Sequence, residues 1–456
     1  MIGVTYPAQR PLRHSFTDWM IVLFFLASCW AMPAQSQQKT PANSTTKHAT
    51  SPKEDPLAPL LQQAKEAIDK ENFVAALEPL QKYIAQRPDD PYAHFQLGYA
   101  DAGLKRGEDA KIEFSRAIAL DPKMAPAYLN LGLVLMDSDA SAAAEAFGRA
   151  SELQPTESRP RFLEGFALEH AGKLKEAGEH YQDALALSAK DYEYNFALGR
   201  VLLRSGQGAG AEKYFHAAID SRGDSATARL GLANALLAQK KYAPAAEALD
   251  EYLKLNPGDR AAHFDRASAL VELNRYDDAL SELDRAENGS GPTSDGLKMR
   301  GNIYMEQKKW KDAADVLSRG IQASPQDTEM PTWLGHAEIE LHEYPVAINI
   351  LAQAYANNPQ SPDALRYLIN AFYLNENYAA TIGAMDRLAK METPKPFSWF
   401  VRAICYDKLG HKAEAIDAYR NFLDQDHGEH DAQDFQSRRR MLALQHELGQ
   451  IPKDRK

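Results

Sequence analysis

Thirteen histidines and two cysteines are the side chains of this 456-residue chain best suited to metal or nucleophilic chemistry. Their spacing decides whether they form a site. The histidines are scattered, and no His-Glu-x-x-His is present, so the two-histidine helical face that holds a catalytic zinc cannot form locally. The densest set of ligand-type residues is Asp424, Asp426, His427, His430 and Asp431, which matches no strong metal-ligand spacing and reads as a solvated loop. Gly206, Gly208 and Gly210 resemble the glycines of a phosphate cradle. A working cradle follows a strand and opens a helix, whereas these glycines fall between two helical patterns and read as a turn. Cys405 reads as a buried apolar thiol, since Cys29 lies far away in an N-terminal segment of different character. No Ser-His-Asp, Cys-His or paired-carboxylate arrangement has local support. The expectation is a chain without catalysis, metal or cofactor.

The elements that would have to position any site are more regular than the residues themselves. A small residue recurs as Ala64, Gly98, Gly132, Gly165, Gly199, Ala233, Ala267, Gly301 and Gly335, spaced by 34 positions with one step of 33. Ile369 and Ala403 continue the spacing. A second ladder follows about twelve residues behind: Ala76, Ala110, Ala143, Ala177, Ala211, Ala245, Ala279, Ala313, Ala347, Thr381 and Ala415. A bulky residue recurs four positions after the second ladder, as Phe114, Phe147, Tyr181, Phe215 and their counterparts, and prolines such as Pro88, Pro122 and Pro257 close the units. Ala110, Phe114 and Ala117 share one helical face. Small residues let paired helices approach, and the bulky one fills the space between one pair and the next. Fixed periods of this size signal stacked repeats in place of one compact core, which also overrides the two or three domains that length alone suggests.

The pattern resembles the tetratricopeptide-repeat family over residues 57–429. The resemblance implies an all-α fold, a right-handed α-solenoid of eleven helix–turn–helix units at about 57–90, 91–124, 125–157, 158–191, 192–225, 226–259, 260–293, 294–327, 328–361, 362–395 and 396–429. A capping helix and tail follow at 430–456, with Arg438, Arg439 and Arg440 on a polar outer face. The tenth unit departs from the pattern at Ile369 and Thr381, and Pro394 and Pro396 follow it, so this stretch is the expected weak joint.

In the family, the first helix of each unit lines a concave groove. That places Tyr92, Phe95, Tyr99, Leu129, Leu133, Phe162, Phe166, Phe196 and Phe264 along an apolar half. A polar, mildly basic half then carries Arg200, Asn234, Lys298, Asn302, His336, Arg366 and Asn370. Lys298 and Asn302 occupy places used by the carboxylate clamps of some family members, but Trp333 stands where the next asparagine would be, so the clamp is partial. The resemblance implies protein or peptide segments as partners. A glycan or small-molecule binder that stacks sugars on the aromatic strip is the alternative, with an enzyme of dispersed residues behind both.

The first 36 residues read as a secretory signal: Arg10, Arg13 and His14 precede an apolar run from Trp19 to Met32. That run falls short of the roughly 20 residues of a membrane span. Ala34-Gln35-Ser36 suits ordinary cleavage, while Leu26-Ala27-Ser28-Cys29 resembles a lipobox whose Cys29 would carry a lipid anchor; both routes stay open. Residues 37–56 then form a flexible polar linker. A formal charge of −11 argues against a nucleic-acid binder, which would show a basic footprint. The sequence thus predicts an exported scaffold, in the periplasm or cell envelope of a bacterium, that takes part in an envelope or secretion assembly.

Overall fold

A computed structural model of the chain describes residues 55–289 and 291–449. The expected signal, Cys29, most of the linker and the tail from residue 450 lie outside the described residues. Within them are 23 α-helices. The first seven pairs are α1 Ala58–Asp69 with α2 Phe73–Gln86, α3 Pro91–Gly103 with α4 Gly107–Leu120, α5 Ala125–Leu135 with α6 Ala140–Leu153, α7 Ser158–His170 with α8 Leu174–Leu187, α9 Tyr192–Arg204 with α10 Gly208–Ser221, α11 Ala226–Ala238 with α12 Tyr242–Leu255, and α13 Arg260–Glu272 with α14 Tyr276–Glu287. Four more follow: α15 Ser294–Glu306 with α16 Trp310–Ala323, α17 Met330–Glu340 with α18 Tyr344–Asn357, α19 Pro362–Leu374 with α20 Tyr378–Leu388, and α21 Pro396–Lys408 with α22 Lys412–Gln425. The helix α23 Asp431–Glu447 ends the stack. The fold is an all-helical solenoid in which each helix packs on its neighbours in sequence.

Local chemistry sets the helix boundaries. Asp90, Asp191, Ser225 and Asp259 cap the first helices of their pairs, their side-chain oxygens accepting otherwise unmet amide protons. Ten of the eleven turns inside the pairs contain one residue with left-handed backbone, seven places after the small ladder position: Glu71, Lys105, Gly172, Gly206, Lys240, Asn274, Lys308, His342, Glu376 and Gly410. Gly206, with φ +74°, is therefore the stop signal of α9, which accounts for the cradle-like glycines. The third pair lacks such a residue because its turn is the shortened step of the ladder.

The two ladders meet in the core. A methyl group built on Gly132 would lie 2.6 Å from the Phe147 ring, and one on Gly335 would lie 2.4 Å from Leu351, so both glycines are close-approach positions. Phe215 shows how a ring serves two pairs at once, lying against Gly199 of its own pair and Gly231 of the next. Phe114, Phe147, Tyr181, Phe215 and Leu249 are fully buried. Polar clamps repeat as well. His94 Nδ1 lies 2.6 Å from Glu113 and Nε2 2.9 Å from the Pro88 carbonyl. His263 repeats this with Glu282 and Pro257.

Two details differ from the sequence reading. The tenth pair forms regularly: Thr381 is buried, its hydroxyl donates to the Asn377 carbonyl at 2.9 Å, and Leu365, Leu368, Ala371 and Ala384 share one core with the ninth pair. The sparsest junction between successive pairs is instead α14 against α15, with α20 against α21 next. The outer face of α23 is also less polar than expected. Leu444 and Ser437 point inward and Arg440 binds Asp407 at 2.6 Å, which leaves Phe435 and Leu442 exposed beside Arg439.

Candidate partner-binding groove

Curvature assigns the inner surface. First helices touch the first helices of the next pair, as α7 with α9, α9 with α11, α15 with α17 and α17 with α19. Second helices make no contact of that extent with one another among the described residues, so the first-helix row lies on the tighter side. Every predicted groove residue sits on that row.

The apolar half divides into two kinds of position. Tyr92 is exposed, and Phe95, Tyr99, Leu129, Leu133 and Phe264 are half-buried, offering part of each side chain to a partner. Phe162, Phe166 and Phe196 do not do so, because they are buried between neighbouring helices. The Phe162 ring stacks on Tyr194 of the next pair at 4.6 Å and packs on Tyr181 at 5.4 Å, while Phe196 packs on Tyr192 and Phe215. A ring at these positions is long enough to reach the next first helix, and burying it there gains more than leaving it wet. The continuous aromatic strip is therefore broken at the fourth and fifth pairs.

The polar half carries its cations already paired. Lys298 Nζ lies 2.8 Å from Asp327 and 2.5 Å from Glu329, and 5.5 Å over the Trp333 ring. Burial works against the ammonium, but the two carboxylates outweigh it and raise the Lys298 pKa above its ordinary value. Arg366 is held by Asp363 at 2.5 Å and by Glu392. Arg200 binds Glu169 at 2.7 Å. With two carboxylates on each of Lys298 and Arg366, the expected basic character and the partial clamp are lost. Spacing shows Asp363, three residues before Arg366 on the same helix, but not Asp327, Glu329 and Glu392, which arrive from the connections between helices. Asn234 and Asn302 are half-buried and Asn370 is exposed. His336 stacks on Tyr367 at 4.5 Å, and burial lowers its pKa, opposed in part by Glu340.

Glu169 is the residue that sequence reasoning missed. It is buried on α7 and accepts from the Tyr181 hydroxyl at 2.9 Å, from Arg200 and, at 2.6 Å, from Arg204. Burial, with the adjacent carboxylate, pushes the Tyr181 phenol well above its ordinary value. The signal was present as an acid four residues after Gly165 facing two arginines one repeat on. Of the loop cluster, Asp426 and His430 pair at 2.5 Å, with the His430 ring packed near Phe397 and Phe422. Among the described residues no group of three or more His, Cys, Asp or Glu side chains is arranged to hold a metal ion. Cys405 is fully buried, and burial pushes its thiol up to about 11. No helix among the described residues is long and apolar enough to cross a membrane.

The tetratricopeptide-repeat family profile matches residues 61–125, 196–260, 241–295 and 264–328. That of anaphase-promoting complex, cyclosome, subunit 3 matches residues 340–422. Anaphase-promoting complex subunit 3 of Schizosaccharomyces pombe is 24% identical over 145 residues, which is 32% of this chain. The match spans only 22% of the length of that relative. Among solved structures, YrrB, described as a tetratricopeptide-repeat protein with an unusual peptide-binding site, is 22% identical with a TM-score of 0.37, covering 40% of this chain and 95% of its own. The Cut9–Hcn1 hetero-tetramer gives 13% identity and a TM-score of 0.37 over 85% of this chain and 96% of its own. Yeast Tom70 gives 12% and 0.33 over 87% of this chain and 97% of its own.

Proposed function

We propose that this chain, a tetratricopeptide-repeat protein, is an exported, non-catalytic scaffold that holds segments of another protein along its first-helix row, within an assembly of the cell envelope. The family is one of scaffolds that mediate protein–protein interactions. The observation that carries the groove reading is the run of half-open apolar side chains at Phe95, Tyr99, Leu129 and Leu133, one turn apart on successive first helices. Contiguous apolar surface of this kind marks interaction sites. Since Lys298 and Arg366 are paired within the chain, the apolar contacts at the second and third pairs supply most of the affinity. The buried rings of Phe162, Phe166 and Phe196 take the middle of the aromatic strip away from a stacked sugar, which favours a protein segment over a glycan.

Export rests on the sequence of the first 36 residues. Site-specific photocrosslinking in intact cells tests both parts of the proposal. A crosslinker at Leu133 or Asn234 is expected to capture one and the same partner, while the outward positions Glu108 and Lys175 capture none of it. Leu129→Asp with Leu133→Asp is expected to abolish the adduct. Equal capture from inner and outer positions would rule the groove out. The mass of the purified N-terminus, expected to begin at Gln37 or at a lipidated Cys29, rules out export if Met1 and the apolar run are intact.

A further inference from the structure

The junction between the seventh and eighth pairs buries an acid where most of the others bury an aliphatic side chain. The eighth residue after the second ladder position is Ile or Leu in seven of the eleven pairs (Ile84, Ile118, Leu185, Ile219, Leu253, Ile321 and Leu423), and it is Glu287 at the end of α14. The residue before the small ladder position of the first helix is leucine in six pairs and arginine in three, Arg266, Arg300 and Arg402. Each arginine reaches an acid of the preceding second helix (Asp250, Asp284 and Asp386), and only Arg300 also meets a buried carboxylate at the end of that helix. Arg300 spans the junction, 2.7 Å from Glu287 and 3.0 Å from Asp284. Glu287, buried, also accepts from the Thr293 amide at 2.8 Å. Gly296 makes room for it, since a Cβ there would lie 1.9 Å from the Glu287 carboxylate oxygen.

The geometry around this ionic contact is open on one side only. On the inner row α13 and α15 remain in contact. On the outer side α14 stops after 12 residues, where α12 and α16 run 14, and a cleft of about 480 Å³ lies between Asp284, Leu297, Tyr304, Asp312, Val316 and Arg319. An interdigitated apolar junction loses a quarter to a half of its dispersion attraction when it opens by about 0.5–1 Å. An ion pair weakens only as the inverse of distance, and water solvates its polar walls as they part.

We propose that this junction is the articulation of the solenoid, pivoting on the α13–α15 contact and restrained by Glu287 and Arg300, between an arm of seven pairs and an arm of four pairs with α23. The inference does not depend on what the groove holds.

Double electron–electron resonance tests it on the full chain with Cys29→Ser and Cys405→Ala. Labels at Lys175 and Lys311 span four repeats across the junction, and labels at Glu108 and Ala243 span four repeats short of it. The crossing pair is expected to give a distance distribution about twofold wider than the control, as for a hinge between rigid bodies. Glu287→Leu with Arg300→Leu, which gives this junction the aliphatic pair found at five others, such as Leu185 with Leu198 and Ile321 with Leu334, is expected to narrow it to the control width. Glu287→Gln, which keeps shape and removes charge, is expected to widen it further. In the unaltered protein, raising salt from about 0.1 to about 1 M should widen the crossing distribution and leave the control unchanged. Equal widths for the two label pairs would overturn the proposal, as would a crossing distribution that neither variant nor salt changes.

Discussion

Seven residues among those described hold left-handed backbone without being glycine, each ending the first helix of a pair. Lys240 at φ +58° and Gly206 at φ +74° do the same job with different side chains. A residue with a Cβ is strained in this region by about 1 kcal/mol or somewhat more. Gly206→Ala is therefore expected to lower stability by about 1–2 kcal/mol, and Lys240→Gly to raise it by up to about 1 kcal/mol, since glycine is the favoured residue after a helix C-terminus. Urea unfolding followed by circular dichroism reads both changes, and a Gly206→Ala variant as stable as the parent would contradict the account. The same scale explains why Glu169 matters: one buried carboxylate collects two arginines and a phenol, so it ties the fourth pair to the fifth.

At the scale of helices, the period follows from the meeting of a gap with a knob. Gly335 on α17 and Leu351 on α18 are close enough that a Cβ on the glycine would collide with the leucine at 2.4 Å. Gly335→Ala should cost about 1–3 kcal/mol through overpacking. In the Leu351→Ala background, where the obstructing branch is gone, the same change should cost much less. A double-mutant cycle measures this directly, and additive effects would show that the two residues do not share the contact. Where the ladder residues depart from small, as at Thr381, the helix pair still forms because the hydroxyl finds the Asn377 carbonyl and needs no further partner.

Across the whole molecule, stability is a sum over pairs and junctions, so a weak junction divides it. The α14–α15 contact is sparse, and a buried ion pair is a poorer source of stability than packed apolar groups. Unfolding is expected in at least two steps, with amides of α15–α23 exchanging as a block apart from those of α1–α14. Hydrogen exchange in low urea tests this, and one cooperative transition shared by all helices would count against it. The paired state of Lys298 and Arg366 belongs to the same scale, because three of their four acids arrive from other segments: Asp327 and Glu329 from before α17, and Glu392 from the connection after α20.

The first-helix row of groove residues came from the family resemblance, while local pattern was enough to read the all-helical class and the pairing of helices, because each depends on contacts made within about one repeat. Gly98, Ala110 and Phe114 carry that information in their spacing alone. Tertiary structure decided which groove residues are open. Phe95 and Phe162 hold the same place in their repeats, yet only Phe162 is sealed by Tyr194 of the following pair. It also showed that the contact between the seventh and eighth pairs, where Glu287 in place of leucine changes what two successive pairs bury against each other, is sparser than the one that follows the tenth. Burial and charge pairing depend on neighbours from adjacent repeats, and a period read along one chain does not say which of them arrive.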